Sequence, residues 1–256
     1  MEKAIIGGTG VYDIGEACSR EIETEYGSVT IDVVKTKSGE EVAFLARHGK
    51  GHSVPPHLIN YRANIKALKD IGVKYIYTTC AVGSCNENFA PADVVVLKDF
   101  LDFTKTRPLT FYEGGEKGVV HVAMDAPYCP NLGTKFKEYA KTMGLNIKGD
   151  AVYACTEGPR FETASEIKMY KMLGADIVGM TNVPEVVLAK ELGMCYQAIG
   201  IVTNWCTGIK GDVAGHDIKG AVESNKALIS EIFMTVFTEE ELSQDDCKCN
   251  ASLIKL

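Results

Sequence analysis

Short β-rich runs alternate with helical patterns from one end of this chain to the other. Strands are predicted at AIIGG, EVAFLA, KYIYTT, DVVVLKDF, VVHVAM, DAVYA, ADIVGM and CYQAIGIVTN. Helices are predicted over residues 57–72, 184–193 and 217–237, the first with Leu58, Tyr61, Ile65 and Leu68 at helical spacing. Such alternation predicts an α/β domain in which helices cover one sheet, and ligands of such sheets bind at the strand ends.

The composition narrows the class of protein. A chain of 256 residues with 46% hydrophobic residues can bury a full core, so we predict a single domain over residues 1–256, with a C-terminal tail from about residue 240. The net charge of -7 and the lack of a basic block argue against a nucleic-acid or membrane-surface partner. The N-terminus lacks the apolar core of a signal peptide, and no run is long enough to span a bilayer. We therefore expect a cytoplasmic protein.

The nine cysteines are scattered along the chain, apart from Cys247 and Cys249 in the sequence CKC. This usage favours reduced thiols over a disulfide framework. We expect the CKC pair to lie in an exposed tail, where a local disulfide stays open as an alternative. A metal site is not expected, because no second pair of cysteines has a suitable spacing.

Three loops that follow predicted strands carry groups that suit an anion. Gly7-Gly8-Thr9-Gly10 can direct backbone N–H groups and a hydroxyl at an oxyanion. Arg47 and His48 follow the second predicted strand, and arginine is the natural planar partner of phosphate. Thr181 lies just ahead of the helix that Pro184 opens, and helix N-termini attract anions. Each loop alone is equally well explained as a turn or a cap.

The stretch TEGPRFETASE at 156–166 sets a carboxylate beside an aromatic ring, just before a helix. Thr163 and Glu166 have the spacing of a capping box, which predicts that the helix begins there. We expect the helix dipole to hold the preceding Glu162 ionised. Taken alone, Glu162 is more simply explained as decoration of a helix start.

Five segments together resemble the purine nucleoside phosphorylase and methylthioadenosine phosphorylase family, over nearly the whole chain. They are GGTG, RHG with a following histidine, AVGS at 81–84, EGPRFE at 157–162 and GMTNVPEVVLAKELGM at 179–194. The resemblance implies a mixed sheet, partly curled into a barrel and flanked by helices. It also implies phosphorolysis, in which phosphate displaces a purine from C1 of a ribosyl group, with no metal and no cofactor.

Carried over residue by residue, the resemblance implies phosphate contacts from Thr9, Arg47, His48, the backbone of Ala81, and Thr181. Met180 would lie against the ribose and Phe161 against the purine. His216 matches a histidine directed at a 5′-hydroxyl, and His121 matches one lent to a neighbouring subunit, which implies a homotrimer or a dimer of trimers. Cys80 departs from the family pattern, because many relatives carry a hydroxyl residue there.

The resemblance also divides by base. The branch that acts on 6-aminopurines carries TDYD after the last strand, whereas this chain has Thr203-Asn204-Trp205-Cys206 there and Glu162 after Phe161. An ionised Glu162 can only accept, so it would pair with N1–H of a 6-oxopurine, while Asn204 would address O6 and N7. We therefore expect a phosphorylase of inosine and guanosine, with Asn204, Arg47 and His48 as catalytic residues and Trp205 and Cys206 beside the base.

Three alternatives stay open from the sequence. The nearest is a phosphorylase of 5′-methylthioinosine or 5′-methylthioadenosine. A hydrolase of similar fold would release the base without phosphate, and a binding module would keep the pocket without catalysis.

Overall fold

A computed structural model of the chain describes residues 1–8, 17–36, 38–49, 51, 53–211 and 217–255. Its strands are β1 (Lys3–Gly7), β2 (Cys18–Thr24), β3 (Gly27–Lys35), β4 (Glu41–Ala46), β5 (Tyr75–Ser84), β6 (Val94–Phe103), β7 (Val120–Val122), β8 (Ile147–Thr156), β9 (Ile177–Gly179), β10 (Cys195–Trp205) and β11 (Leu253–Lys255). Its helices are α1 (Tyr61–Asp70), α2 (Pro130–Thr142), α3 (Ala164–Met172), α4 (Asn182–Glu191) and α5 (Ile218–Glu239). None of these helices, as far as the described residues go, is long and apolar enough to cross a membrane.

Five strands close into a barrel because the first and the last of them, β10 and β5, also pair with each other. The strand order runs β10-β6-β8-β9-β5, and β10 pairs with β5 as well, in parallel register along its length. From β5 the same sheet continues outward through β1, β4 and β3 to the edge strand β2. This mixed sheet, partly closed as a barrel and flanked by helices, confirms the predicted fold class.

Two hydrophobic clusters fill the space between the sheet and the helices. Successive side chains of a strand point to opposite faces, so Ile5 joins one cluster and Ile6 the other. Helices α1 and α4 pack on the face of Ile6, and α2 and α5 on the face of Ile5. There Tyr77 stacks on Phe233 with ring centroids 4.5 Å apart. The packed core fixes the strand ends that carry the candidate site residues.

All eight predicted strands are confirmed, and three strands escaped prediction. The edge strand β2 is mostly exposed and polar, so it lacks the apolar alternation that marks a half-buried strand. Strand β11 has only three residues. Strand β3 does alternate, with Val29, Ile31 and Val33 buried, so its pattern was present in the sequence.

The first helix begins later than predicted. The Asn60 side chain accepts a hydrogen bond from the Ala63 N–H at 3.1 Å and caps α1, which then starts at Tyr61. Leu58 was placed on the apolar face of this helix, and that placement is wrong. It lies in a separate 3-10 turn, Pro56–Leu58, and is 65% exposed.

The C-terminal segment is not an exposed tail, so that expectation is also wrong. Strand β11 pairs antiparallel with β7. Cys247 and Cys249 are both buried, the second in a 3-10 turn over Cys249–Ala251. The last residues of the described chain are therefore part of the folded domain.

Candidate functional site

The candidate site lies where β5 changes its neighbour. Strand β1 pairs with β5 as far as Thr78, whereas β9 pairs with it only at Gly83 and Ser84. Among the described strands, residues 79–82 have no partner on that side, and a cavity of about 220 Å³ opens there. The predicted residues that line it are Arg47, His48, Ala81, Phe161, Glu162, Met180, Thr181, Asn204 and Cys206.

Arg47 follows β4 and is completely enclosed. Its Nε and Nη2 donate to the two carboxylate oxygens of Glu185, each at 2.7 Å. Its Nη1 donates to the carbonyl of Thr79 at 2.9 Å, and Nη2 also donates to the Thr78 hydroxyl. Among the described residues these bonds use four of the five guanidinium N–H donors. The plane of the guanidinium is therefore fixed, with one N–H of Nη1 left over.

The partner of Arg47 limits the charge that it presents to a ligand. Burial acts to lower the pKa of Arg47, but the charge of Glu185 raises it well above its ordinary value, so the guanidinium stays protonated. Glu185 also accepts a hydrogen bond from the Tyr196 hydroxyl at 2.6 Å. Because the two charges largely cancel at a distance, Arg47 acts on an anion mainly through a directed N–H.

The start of the GGTG loop lies against this arginine. The Gly8 N–H donates to the Thr79 hydroxyl at 3.0 Å. A Cβ at Gly8 would lie 2.3 Å from the Thr79 carbonyl oxygen and 3.1 Å from Nη1 of Arg47. The close approach requires glycine here, and it places Gly8 beside Nη1 of Arg47. Thr9 itself lies outside the described residues.

His48 and Ala81 lie beside Arg47 in the cavity wall. The His48 ring is buried, and its Nδ1 is 2.9 Å from the carbonyl oxygen of Val54, which fixes the orientation of the imidazole. The neighbouring Cys80 is buried, and burial raises its pKa to about 12, so it stays a neutral thiol. The wall at β5 therefore carries a thiol next to Ala81.

Thr181 reaches the cavity with its side chain unused by the helix that follows. Its hydroxyl makes no capping hydrogen bond, and its backbone N–H donates to the Tyr153 hydroxyl at 3.1 Å. Val183 has a non-helical backbone, so the regular turns of α4 begin at Pro184, as predicted. A hydroxyl that stands beside a helix start and does not cap that helix suits an anionic ligand.

Glu162 is a buried carboxylate in the same cavity. The Thr156 hydroxyl donates to its Oε1 at 2.7 Å. Desolvation raises the pKa of Glu162, although the Thr156 hydrogen bond acts in the opposite direction. We expected the helix dipole to dominate and favour the ionised form, and burial has the larger effect. The capping box of Thr163 and Glu166 at the start of α3 is confirmed.

Phe161 and Met180 form an apolar part of the cavity wall. Phe161 is 51% exposed, which leaves a large part of its side chain uncovered. Met180 is half-buried, and its side chain packs against Gly158. A Cβ at position 158 would lie 2.6 Å from the Met180 sulfur. Gly158 also has a φ of +69°, so glycine is favoured there by conformation and by contact. The loop 157–162 thus holds an aromatic and a thioether where a flat, partly apolar ligand could pack.

Asn204, near the end of β10, has a fixed amide. The Thr203 hydroxyl donates to its Oδ1 at 2.8 Å, and its Nδ2 donates to the Trp205 carbonyl at 2.9 Å. One N–H and one lone pair of the amide remain. A Cβ at Gly83 would lie 3.1 Å from Nδ2 of Asn204 and 2.8 Å from the Cys206 sulfur, so β5 approaches this site closely.

Two predicted residues of the described chain, Trp205 and His121, are not brought to the cavity with their side chains. The Trp205 side chain does not line it and instead has the Lys210 ammonium 4.5 Å from its ring centroid, so only its carbonyl serves the site. His121 is exposed on β7, away from this cavity. Thr9 and His216 lie outside the described residues.

Three polar groups of the site were missed from the sequence. Glu185 stands in MTNVPEVVLA. A lone carboxylate among the apolar residues of this helix could have indicated a buried partner of a positive charge. Thr156 and Thr203 orient Glu162 and Asn204, and nothing in the sequence distinguishes them from other strand threonines.

Known proteins resemble the chain over its whole length. The sequence profile of the Phosphorylase superfamily matches residues 2–237. A probable 6-oxopurine nucleoside phosphorylase of Moorella thermoacetica is 48% identical over 260 residues, covering 100% of this chain and 99% of that protein. The 6-oxopurine nucleoside phosphorylase of Pyrococcus furiosus is 51% identical over 220 residues, 83% of each chain. A mutant adenosine/methylthioadenosine phosphorylase of Schistosoma mansoni, solved with methylthioadenosine, superposes with a TM-score of 0.87 at 31% identity, covering 98% of this chain and 95% of that one.

Proposed function

Because the chain belongs to the phosphorylase superfamily, we propose that it catalyses phosphorolysis of 6-oxopurine nucleosides. Inosine or guanosine reacts with phosphate to give the free base and ribose 1-phosphate, a reaction of purine salvage. The relatives named 6-oxopurine nucleoside phosphorylase support this assignment. The observation that carries it is the presence of a buried Glu162 and a fixed Asn204 in one cavity with Arg47 and Thr181.

Phosphate is held by oriented donors rather than by a large net charge. Arg47 offers a directed N–H, since Glu185 offsets its charge. The Thr181 hydroxyl at the start of α4 and the backbone at Ala81 add further donors, and His48 lies in the same wall. Thr9 completes this set in our assignment. Several short hydrogen bonds of this kind hold the nucleophile in place for attack on C1.

The base is recognised by matching donors to acceptors. Hypoxanthine and guanine carry hydrogen on N1 and oxygen at C6, and adenine offers the reverse. An ionised Glu162 accepts from N1–H, and also from the 2-amino group of guanine. The remaining N–H of Asn204 donates to O6. With adenine, Glu162 would face the unprotonated N1, so two buried acceptors would oppose each other. Sites built on hydrogen bonds discriminate by as much as about 10⁴-fold.

Asn204 also serves the chemical step. As the glycosidic bond lengthens, positive charge grows on the ribosyl ring and negative charge on the purine. The free lone pair of Asn204 Oδ1 accepts from N7 when that atom is protonated, while Nδ2 supports O6. The bond to O6 strengthens as negative charge develops on the purine, and the bond from N7–H forms when the more basic N7 takes up a proton from solvent. Both therefore lower the barrier rather than only binding the substrate. Phosphate beside C1 supports the cationic sugar and then forms the new bond. Phe161 packs on the purine and Met180 on the ribose.

The test is phosphate-dependent cleavage of inosine by the purified protein. We expect hypoxanthine and ribose 1-phosphate in equal amounts, and loss of product when phosphate is omitted. Free ribose formed without phosphate would identify a hydrolase. Binding of inosine without turnover would identify a nucleoside-binding module.

The second candidate is a phosphorylase of a 5′-methylthio nucleoside. The Schistosoma structure, solved with methylthioadenosine, supports it because the fold agrees closely. The two candidates differ in the group at the 5′ position, where we assign His216 to the hydroxyl of inosine. A comparison of inosine with 5′-methylthioinosine separates them, and at least a tenfold preference for inosine is expected from one satisfied polar contact.

We also infer a homo-oligomer in which His121 completes the 5′ region of a neighbouring subunit. In support, His121 is exposed on β7, and the exposed apolar residues Val119 and Ile254 lie beside it in sequence or across the strand pair. Light scattering should give a mass that is three or six times 27.8 kDa. A monomer would contradict the inference. The free cysteines of the structure support our assignment to the cytoplasm.

A further inference from the structure

Four cysteines from distant parts of the chain meet at the end of β10 that is remote from the cavity. Cys129 precedes α2, Cys195 is the first residue of β10, and Cys247 and Cys249 belong to the C-terminal segment. All four are buried, and their sulfur atoms lie within 4.8 Å of one another. Within the described part of the chain, this is the one such grouping of histidine, cysteine, aspartate and glutamate side chains.

The spacing of the sulfur atoms fits a tetrahedral metal ion. A zinc ion with Zn–S bonds of about 2.3 Å holds its four sulfurs about 3.8 Å apart along each edge. In the structure Cys195 and Cys247 have their sulfurs 3.4 Å apart, and all four thiols are free. Two disulfides would require closeness only within each pair, whereas here every sulfur is close to the other three.

We propose that Cys129, Cys195, Cys247 and Cys249 bind one zinc ion as a structural site. On binding, the four thiols release four protons, and four thiolates coordinate Zn²⁺ with a net charge of two minus. Zinc is the ion of choice for a closed tetrahedral set of four cysteines, and such a set leaves no open position for catalysis. The proposal does not depend on the proposed phosphorylase activity.

The surroundings supply partners for the negative charge. Cys129 stands at the N-terminus of α2, where the helix dipole favours an anion. The Gln244 side chain donates to the Cys195 sulfur at 3.7 Å and to the Gly193 carbonyl at 2.7 Å. Such bonds orient ligands and tune metal affinity.

The site would join the C-terminal segment to the core. It links the residues just before β11 to the start of α2 and to β10. The nine residue steps from Cys195 to Asn204 along β10 span about 30 Å, so the ion would lie far from the candidate site. The sequence argued against a metal because CKC has no second pair of suitable spacing. The fold supplies that pair from Cys129 and Cys195, which are 66 positions apart.

The first experiment measures zinc in the full chain, purified under reducing conditions without chelator. We expect about one zinc ion per chain by elemental analysis. The double variant Cys247→Ser/Cys249→Ser should lose it, while Cys18→Ser, at an exposed cysteine outside the cluster, should keep it. Circular dichroism checks that each variant is folded. Wild-type protein without zinc, or a double variant that retains the full amount, would overturn the proposal.

The second experiment needs no variant. After the metal is removed with a chelator in the presence of reductant, added Co²⁺ should give the intense visible bands and sulfur-to-cobalt charge transfer of a tetrahedral thiolate site. Zinc should then bleach these bands and raise the thermal midpoint of unfolding. If the protein as purified contains disulfides in place of zinc, its mass will be lower by two hydrogen atoms per disulfide, and that result would overturn the proposal. Metal-free protein whose reduced thiols leave cobalt unbound would contradict the site.

Discussion

Burial of the Glu162 carboxylate destabilises the fold, and the same carboxylate is the group that we propose binds the base. Its carboxylate is buried with one hydroxyl partner, Thr156, so the free protein leaves it poorly solvated. A 6-oxopurine would supply the missing N–H donor. The same burial that raises the pKa of Glu162 would make a hydrogen bond to the base selective, since an unsatisfied buried acceptor is costly.

Replacing Glu162 should therefore trade activity for stability. Because the folded-state pKa is raised, the wild-type carboxylate destabilises the fold at neutral pH, and this penalty disappears as pH falls below the ordinary carboxyl value of about 4.3. Glu162→Gln should raise the free energy of unfolding at pH 7, with a gain that shrinks in acid. It should also lower kcat/KM for inosine by about 10- to 100-fold.

Glu166 provides a matched control, because its pKa is shifted in the opposite direction to that of Glu162. The free energy of unfolding of each variant is measured by urea unfolding at several pH values. The hydrogen bond to Arg160 lowers the pKa of Glu166 to about 2, so its stabilisation is present at neutral pH and is lost as pH falls through that value. Glu166→Gln should therefore destabilise the protein at pH 7. A Glu162→Gln variant that is less stable than wild type at pH 7 would contradict the burial argument.

Asn204 is the residue on which the rate should depend most. Asn204→Asp replaces the N–H that would face O6 with an acceptor. It also sets a carboxylate oxygen beside the Trp205 carbonyl, which in the wild type accepts a hydrogen bond from Asn204 Nδ2. We expect kcat for inosine to fall by at least about 10²-fold, as for loss of one donor to a developing charge. Steady-state kinetics measure this, with Asn88→Asp on the exposed surface as control. An unchanged kcat would remove Asn204 from the mechanism.

At the residue scale, the sequence led to the groups that distinguish the ligand and missed those that hold them. Glu162 and Asn204 stand in sequence motifs that resemble those of a known family, and the residue type shows which hydrogen bonds each side chain can make. Glu185 could not be assigned, because its role depends on Arg47, which is 138 positions away and meets it only in the fold. The expected role of the Trp205 side chain failed because neighbouring strand residues point to opposite faces.

At the element scale, the site depends on how closely β5 passes β10. Gly83 on β5 faces the Asn204 amide and the Cys206 sulfur, and it leaves no room for a methyl group. The register between these strands shifts between Val202 and Asn204, so the amide stands at an irregularity of the barrel. Backbone packing, rather than a side-chain contact alone, therefore sets the position of the Asn204 amide.

A methyl group at Gly83 should disturb this arrangement. Gly83→Ala places a Cβ 2.8 Å from the Cys206 sulfur and should displace the Asn204 amide, lowering kcat about 10²-fold. Gly149→Ala in β8 is the matched control, because its Cβ meets only the Phe89 ring at 3.5 Å. Kinetics of both variants test the idea. Equal effects of the two substitutions would indicate general destabilisation of the barrel instead.

The start of α4 should govern the use of phosphate. Thr181→Val removes the hydroxyl with little change of shape, and we expect the KM for phosphate to rise about tenfold, from the loss of one hydrogen bond to a charged group. Thr181→Ser, the conservative partner, should restore most of the affinity. The measurement is initial rate against phosphate at saturating inosine. A similar KM for wild type and Thr181→Val would place the phosphate elsewhere.

Most elements with strong periodicity were predicted, although the alternating strand β3 was missed, and elements defined by their neighbours could not be predicted. The buried strands and α4 followed from apolar runs and from Pro184. The edge strand β2 and the short β11 gave no such signal, since one is polar and the other is stabilised by pairing with β7. The late start of α1 depends on the cap from Asn60, a local hydrogen bond that spacing alone does not reveal.

At the scale of the whole molecule, barrel closure brings together residues from five separate segments. Strand β5 lies between β10 and β9, so Ala81, Asn204 and Thr181 reach one cavity from different parts of the chain. The sequence resemblance predicted this mixed, partly closed sheet. It could not predict that the C-terminal segment packs back on the domain, since that depends on pairing with β7.

Base selectivity is measured as the ratio of kcat/KM for inosine to kcat/KM for adenosine, at saturating phosphate. The two nucleosides differ only at the N1 and C6 edge of the base. We expect a ratio of about 10³ or more in favour of inosine, because a buried Glu162 would pair with N1–H and oppose an unprotonated N1. Equal use of adenosine and inosine would contradict this expectation.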